Sequence, residues 1–273
     1  MVSTLLHQRT EGHPLFLAAL LEEWQRKGLL MPKEGHWPVE GTLAELAAAV
    51  PATVRQLIEH QFAALVPSEQ RLLEAASAAG LECPAAAVAA GLDADLESVE
   101  ARCADLARRH LFLEPRSGSE WPDGTLTARY AFRHALYQHV VYGQLPAGRR
   151  GGLHRRIGTR LEAAYGDEKG VIAVTLAEHF EEARDCRRAV GYRRLAGETA
   201  LMRHAPRTAI EHLDKGLASL HRWPGDASER RAEELRLQTA LAAARIAIDG
   251  FGAPGVARAY GRAYRLAGAW RTA

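Results

Sequence analysis

The sequence predicts a mainly α fold in which long helices surround one small module containing strands. Three observations carry this reading. Apolar residues recur at i, i+3, i+4 and i+7 along most of the chain. Strand patterning is confined to two short runs, 111–113 and 125–132. Beyond Phe132 only helical spacing remains, interrupted by short polar breaks.

The first helix is predicted over Pro14 to Lys27. Pro14 suits the first helical position, where a missing N–H costs nothing. Leu17, Leu20, Leu21 and Trp24 form its apolar face, and Gly28 closes it. Residues 31–40 carry Pro32, Gly35 and Pro38 and read as a loop or short hairpin. A helix over 52–65 presents Leu57, Ile58, Phe62 and Leu65. Pro67 and Ser68 restart the chain into a helix over 69–79 that stops at Gly80.

A compact unit follows. Residues 84–90 read as a short helix ended by Gly91. Asp93 is a good N-cap for a helix over 94–109. Leu111-Phe112-Leu113 reads as a strand, 115–124 as a turn-rich loop, and 125–132 as a second strand. Helix, turn, helix, strand, loop, strand is the order of a winged helix. From 134 onward helices are expected over 134–142, 149–165, 171–183, 187–202, 206–220, 228–248 and 254–266. From about Val171 they pair at roughly the spacing of helical repeats, which bury their faces by stacking into a solenoid. Ala189, Tyr192, Ala196 and Ala200 have the small-and-aromatic spacing of a tetratricopeptide second helix, without the full consensus.

Composition narrows the function classes. The chain has 273 residues, 47% apolar and 25% charged, with net charge +2. That excludes a disordered tail. No apolar run approaches the ~20 residues of a spanning helix. The near-balanced charge supplies no global attraction for nucleic acid or a membrane surface. Cys83, Cys103 and Cys186 are widely separated and form no CxxC pair, which speaks against disulfides or zinc and fits a reducing cytoplasm. No secretory signal opens the chain, and both ends read as cut inside helical patterns.

Catalytic motifs are absent. Gly250-Phe251-Gly252-Ala253-Pro254-Gly255 satisfies G-x-G-x-x-G, but it follows a helix, and a dinucleotide fingerprint must follow a strand. It reads as a link between helices. No phosphate-cradling G-x-x-x-x-G-K-[ST], H-E-x-x-H, G-x-S-x-G or zinc-ligand spacing occurs. The chain is therefore not expected to be an enzyme, and no metal site is expected in it. Arg149, Arg150, Arg155, Arg156 and Arg160 form the strongest basic cluster. It reads first as a helix face with acidic partners and second as a phosphate or nucleic-acid contact. The second helix of the winged unit carries Asp93, Asp95, Glu97 and Glu100 at its start. DNA phosphates would repel that surface, so the module is expected to pack on protein.

Several segments, in order, resemble one bacterial family. Arg9-Thr10-Glu11-Gly12-His13-Pro14-Leu15-Phe16 is similar to the "TEGNPLF" lid segment of signal-transduction ATPases with numerous domains, the STAND class of AAA-type NTPases. Val50-Pro51-Ala52-Thr53-Val54-Arg55-Gln56-Leu57-Ile58 resembles its "VPxTVRxLI". Tyr130-Ala131-Phe132-Arg133-His134-Ala135-Leu136 resembles "YxFRHAL". Leu153-His154-Arg155-Arg156-Ile157 resembles "LHRRI", and Leu176-Ala177-Glu178-His179-Phe180 resembles "LAxHF". The resemblance implies a helical lid over 1–80, a winged-helix-like module over 81–145 and a tetratricopeptide-like arm over 146–273.

It also implies a role. The chain would be the regulatory and protein-interaction segment of such an ATPase, without the P-loop core. ATP or ADP with magnesium would belong to the intact parent, which in this family is often fused to a cyclase, a kinase or a DNA-binding domain. Gly12 and Pro14 would pack on the nucleotide, and Arg133 and His134 would sense its phosphates, with His13 standing where the family usually has Asn. Implied partners are the P-loop core and a protein or small-molecule effector on the repeats. The alternatives are a transcription factor using the winged helix and the Arg149–Arg160 stripe on DNA, or a piece of an ATPase–cyclase or ATPase–kinase fusion.

Overall fold

The computed structural model describes residues 54–224 and 226–268, together with Pro14, Leu17, Ala18, Leu21, Trp24 and Gln25. Those six positions are helical, as expected for 14–27. The loop expected at 31–40 lies outside the described residues.

The fold is mainly α. Among the described residues it comprises eleven α-helices and one three-stranded sheet. The elements are α1 (Val54–Ala63), α2 (Pro67–Ala79), β1 (Glu82–Pro84), α3 (Ala85–Leu92), α4 (Leu96–Arg108), β2 (Leu113–Glu120) and β3 (Leu126–Phe132). They continue with α5 (Ala135–Gly143), α6 (Ala147–Tyr165), a 3-10 turn (Gly166–Gly170), α7 (Ala173–Glu182), α8 (Cys186–Met202), α9 (Pro206–His221), α10 (Ala227–Asp249) and α11 (Pro254–Gly268). Among the described residues no helix is long and apolar enough to cross a membrane.

Helix starts follow local chemistry. Pro67 opens α2, and Glu69 reaches back to accept the Val66 N–H at 3.2 Å. Asp95, Asp185 and Asp226 accept N–H groups of the first turns of α4, α8 and α10. α3 has no such cap from its own chain segment. Thr127 of β3 supplies one, its hydroxyl accepting the Ala86 N–H at 2.9 Å.

The sheet departs from the sequence expectation in two ways. β1 was not expected: it is three residues long, and its pairing with β3, Cys83 opposite Tyr130, is non-local. β2 runs to Glu120, through most of the segment expected to be loop. The order β1-β3-β2 makes β2 an edge strand, where Pro115 is tolerated. The ladder shifts register between Arg116 and Ser119, a bulge at Ser117-Gly118. Ala128, unpaired by that shift, donates its N–H to the Glu100 carboxylate at 2.8 Å. Glu100 thus completes the sheet.

Two further corrections concern α3 and α4. Gly91 does not end α3 but lies inside it. A Cβ there would stand 3.3 Å from the Ile157 side chain, so the glycine permits α6 to approach. Asp93 caps the C-terminus of α3 with φ 54°, and Asp95 is the N-cap of α4. Of the four acidic residues expected to face outward, Asp93, Asp95 and Glu100 are engaged in local structure.

Four helix exits use a non-glycine residue in the left-handed region: Asp93, His110, Arg184 and His204. Each is followed by an N–H that returns to a carbonyl of the last helical turn, as in Asp185 N to Phe180 O and Ala205 N to Ala200 O, both 2.9 Å. These corners let successive helices fold back on one another.

The main core runs from Ile58 to Ala164 and includes Leu153 and Ile157 of α6. A second cluster joins α7 and α8 through Leu176, Phe180, Ala189, Tyr192 and Ala196. A third joins α8, α9 and α10 through Val190, Leu213, Leu237 and Leu241. Phe180 and Tyr192 stack with centroids 5.6 Å apart. The small-and-aromatic face expected on α8 is buried.

Two glycines of α8 make opposite predictions. A Cβ on Gly197 would lie 2.7 Å from Leu213 Cγ and 3.3 Å from the Ala209 carbonyl, whereas one on Gly191 meets nothing within 4 Å. Gly197→Ala is expected to destabilise by about 1–3 kcal/mol through overpacking. Gly191→Ala is expected to stabilise by about 0.5–1 kcal/mol through helix propensity. Urea unfolding midpoints of the two variants check both signs.

Candidate functional site

The functional candidate lies where α5, α6 and α7 converge. Arg150 and His154 are four residues apart on α6, and His179 and Glu182 three apart on α7, so each pair shares a helix face. Tyr142, near the end of α5, meets them. Its hydroxyl lies 2.9 Å from His154 Nε2, and His154 Nδ1 lies 2.8 Å from His179 Nδ1. The result is a Tyr142–His154–His179 chain of hydrogen bonds. Both imidazoles are buried, at 7% and 5% exposure.

Burial sets the protonation of this chain. Desolvation holds His154 below the usual histidine range, with Glu182 opposing and Arg150 assisting. His179 is pushed down to about 3, first by desolvation and then by the neighbouring His154. Both rings are neutral near pH 7, so each can serve as one donor and one acceptor. Tyr142 is pushed up to about 12, first by burial and then by Glu182. Arg150 lies 5.5 Å from the centre of the Tyr142 ring and pairs with Glu182 at 3.4 Å.

Glu181 faces the other way. Arg193, 3% exposed, grips it with two bonds of 2.8 and 2.6 Å. His212 Nδ1 lies 3.5 Å from the same guanidinium and is held low, chiefly by burial and then by Arg193 and Lys215. The Ser219 hydroxyl lies 3.5 Å from Glu181 and accepts from Arg222 at 3.2 Å. Arg150, Glu181, Glu182, Arg184, Cys186, Ser219 and Arg222 line a cavity of about 580 Å³ among α6, α7, α8 and α9.

This arrangement offers charge and hydrogen-bond donors to a ligand. Burial pushes the Cys83 thiol up and the Cys103 thiol up to about 12, leaving both as packing groups. Cys186 is the more accessible thiol. Among the described residues, no group of three His, Cys, Asp or Glu side chains is placed to hold a metal ion.

The residues expected from the sequence lie elsewhere. Gly12 and His13 are outside the described residues, and Pro14 is helical and exposed. Arg133 and His134 are exposed neighbours at the joint between β3 and α5. Arg133 donates to the His110 carbonyl at 2.8 Å, and His134 Nδ1 accepts the Leu136 N–H as the N-cap of α5.

Arginines of the Arg149–Arg160 cluster engage groups of this same chain. Arg149 pairs with Glu74 at 2.8 Å, Arg155 donates to the Ala183 carbonyl, and Arg156 to the Gly91 carbonyl. Arg160 binds Asp123 and Thr125 and lies 4.9 Å from the Trp121 ring centre. It ties α6 to the turn joining β2 and β3.

The histidine pair was not anticipated. One signal was available: His154 and His179 each sit inside a segment that carried the family resemblance. Comparison with protein-family models, curated proteins and solved structures returns no match for this chain.

The buried histidines predict a pH dependence with a definite sign. Their folded pKa values lie below the unfolded value of about 6.5, so the unfolded chain binds more protons below that pH. Their contribution to stability is complete above pH ~6.5 and is lost as pH falls toward the folded values. Each histidine is expected to add a slope of up to about 1.4 kcal/mol per pH unit. Chemical denaturation at pH 7, 6 and 5 measures it. His179→Leu is expected to flatten the slope, and an unchanged slope would remove the histidine pair as its source.

Proposed function

We propose that this chain is the regulatory, protein-interacting portion of a STAND-type ATPase switch acting in the cytoplasm. In this reading residues 1–80 form the lid, 81–145 a winged-helix-like module and 146–273 a tetratricopeptide-like arm. One observation supports it most. α2, β1, α3, α4, β2 and β3 follow the winged-helix order, their strands align as β1-β3-β2, and a succession of helices joined by short turns follows directly. That is the succession of parts which the segmental resemblance implies.

The mechanism is a population shift. Nucleotide bound to a P-loop core would change how the lid and winged module pack on that core. An effector on the arm would bias the same equilibrium, and the coupling must be reciprocal. Arg133 and His134 sit together on an exposed joint, where a core could meet them. Pro14 would add a rigid apolar contact, with Gly12 beside it in sequence. The Arg149–Arg160 row, engaged with acids, carbonyls and hydroxyls of its own fold, favours protein packing over DNA contact.

An ATPase assay, a DNA mobility shift and one sequencing run test this. The isolated chain is expected to turn over no Mg-ATP and to give no salt-sensitive shift of a DNA duplex. The adjoining 5′ coding DNA is expected to encode G-x-x-x-x-G-K-[ST]. Turnover of ATP by this chain, salt-sensitive duplex binding, or an upstream frame without that motif would each overturn the proposal. In an assembly restored with the core, Arg133→Ala is expected to weaken nucleotide retention by about tenfold, or ~1.4 kcal/mol.

A further inference from the structure

We propose that the cavity among α6, α7, α8 and α9 binds a small phosphomonoester, held by Arg184 and Arg222. The regulator reading leaves the effector's chemistry open. This inference names it, yet it is tested on the isolated chain and stands or falls separately.

The charges around the cavity do not cancel. Its walls carry Arg150, Arg184 and Arg222 against Glu181 and Glu182. Glu182 is paired with Arg150 at 3.4 Å. Glu181 is held by Arg193 from behind, through two bonds of 2.8 and 2.6 Å. Both acids of the wall therefore already have a guanidinium. Arg184 and Arg222 have no carboxylate partner among the described residues. Two uncompensated guanidiniums at one cavity match a dianion, and a phosphomonoester is close to a dianion at neutral pH.

Geometry sharpens the match. Arg184 occupies the exposed corner between α7 and α8, one of the four helix exits with positive φ, and its side chain reaches the cavity wall. Arg222 caps the end of α9, its guanidinium steadied by the Ser219 hydroxyl at 3.2 Å. Ala147 and Cys186, the first residues of α6 and α8, also face the cavity. α6 starts without a side-chain cap. Its first N–H groups favour an anion there, opposing the C-terminal ends of α7 and α9. About 580 Å³ suits a metabolite of sugar-phosphate size.

Cys186 provides a reporter. It lines the cavity and is partly accessible, while Cys83 and Cys103 are buried. Alkylation of the folded chain should therefore report on Cys186. The experiment is calorimetric titration of the 273-residue chain with glycerol 3-phosphate, inorganic phosphate and succinate, alongside the alkylation rate of Cys186.

Saturable binding of both phosphates, weaker binding of succinate and slowed alkylation are expected, with affinity falling as salt rises. Arg184→Ala and Arg222→Ala are each expected to weaken binding by about tenfold. Arg207→Ala, an exposed arginine on α9 outside the cavity, should leave it unchanged. Circular dichroism verifies that each variant is folded. No saturation with either phosphate, succinate binding as tightly as phosphate, undiminished alkylation, or wild-type affinity in the Arg184 and Arg222 variants would overturn the proposal.

Discussion

α6 is the constraint on which the rest of the structure depends. On one side Leu153 and Ile157 complete the core that begins at Ile58, and Gly91 of α3 removes the Cβ that would crowd Ile157. On the other, Gly158 lets α7 approach, since a Cβ there would stand 3.1 Å from His179 and 3.2 Å from Phe180. One helix is thus clasped at close range by both neighbours. Close packing of this kind transmits displacement, because interiors have few voids to absorb it.

The arginines of α6 serve the same end. They tie it outward at Glu74, Gly91, Asp123 and Ala183, contacts that reach α2, α3, the β2–β3 turn and the end of α7. Individually the exposed pairs contribute little, of order 0–1 kcal/mol each. Their value is geometric: bonds to four different elements fix the rotation of α6 about its own axis. That rotation decides which residues face α7, and so places His154 against His179.

Long amphipathic helices were legible in the sequence because their signal is local. Pro206 and Pro254 open α9 and α11 where the pattern indicated. The sheet and its neighbour α3 depart from the local pattern because contacts between distant segments outweigh local propensity. β1 exists because β3 lies beside it. β2 passes through Pro115, Ser117 and Gly118 because an edge strand with a bulge tolerates them. Gly91 resembled a stop signal, but its function is to admit Ile157. The helix exits at Arg184 and His204 carry no glycine, yet they fall where the helical patterns over 171–183 and 187–202 end. The candidate site was the least legible part. Tyr142, His154 and His179 come from three helices, and nothing in their spacing states that their rings meet.

The buried chain and the charged cavity share Arg150 and Glu182, and this makes them one unit electrostatically. Arg150 faces the cavity, pairs with Glu182 and lies over the Tyr142 ring. Its charge also helps hold His154 neutral, while Glu182 acts in the opposite sense. Any anion that drew Arg150 toward itself would leave Glu182 less compensated beside Tyr142 and His154. The proton affinity of His154 would then rise, and the joint between α6 and α7 would weaken in mildly acidic solution. Arg150 is therefore the group that the cavity and the hydrogen bonds holding α6 against α7 have in common.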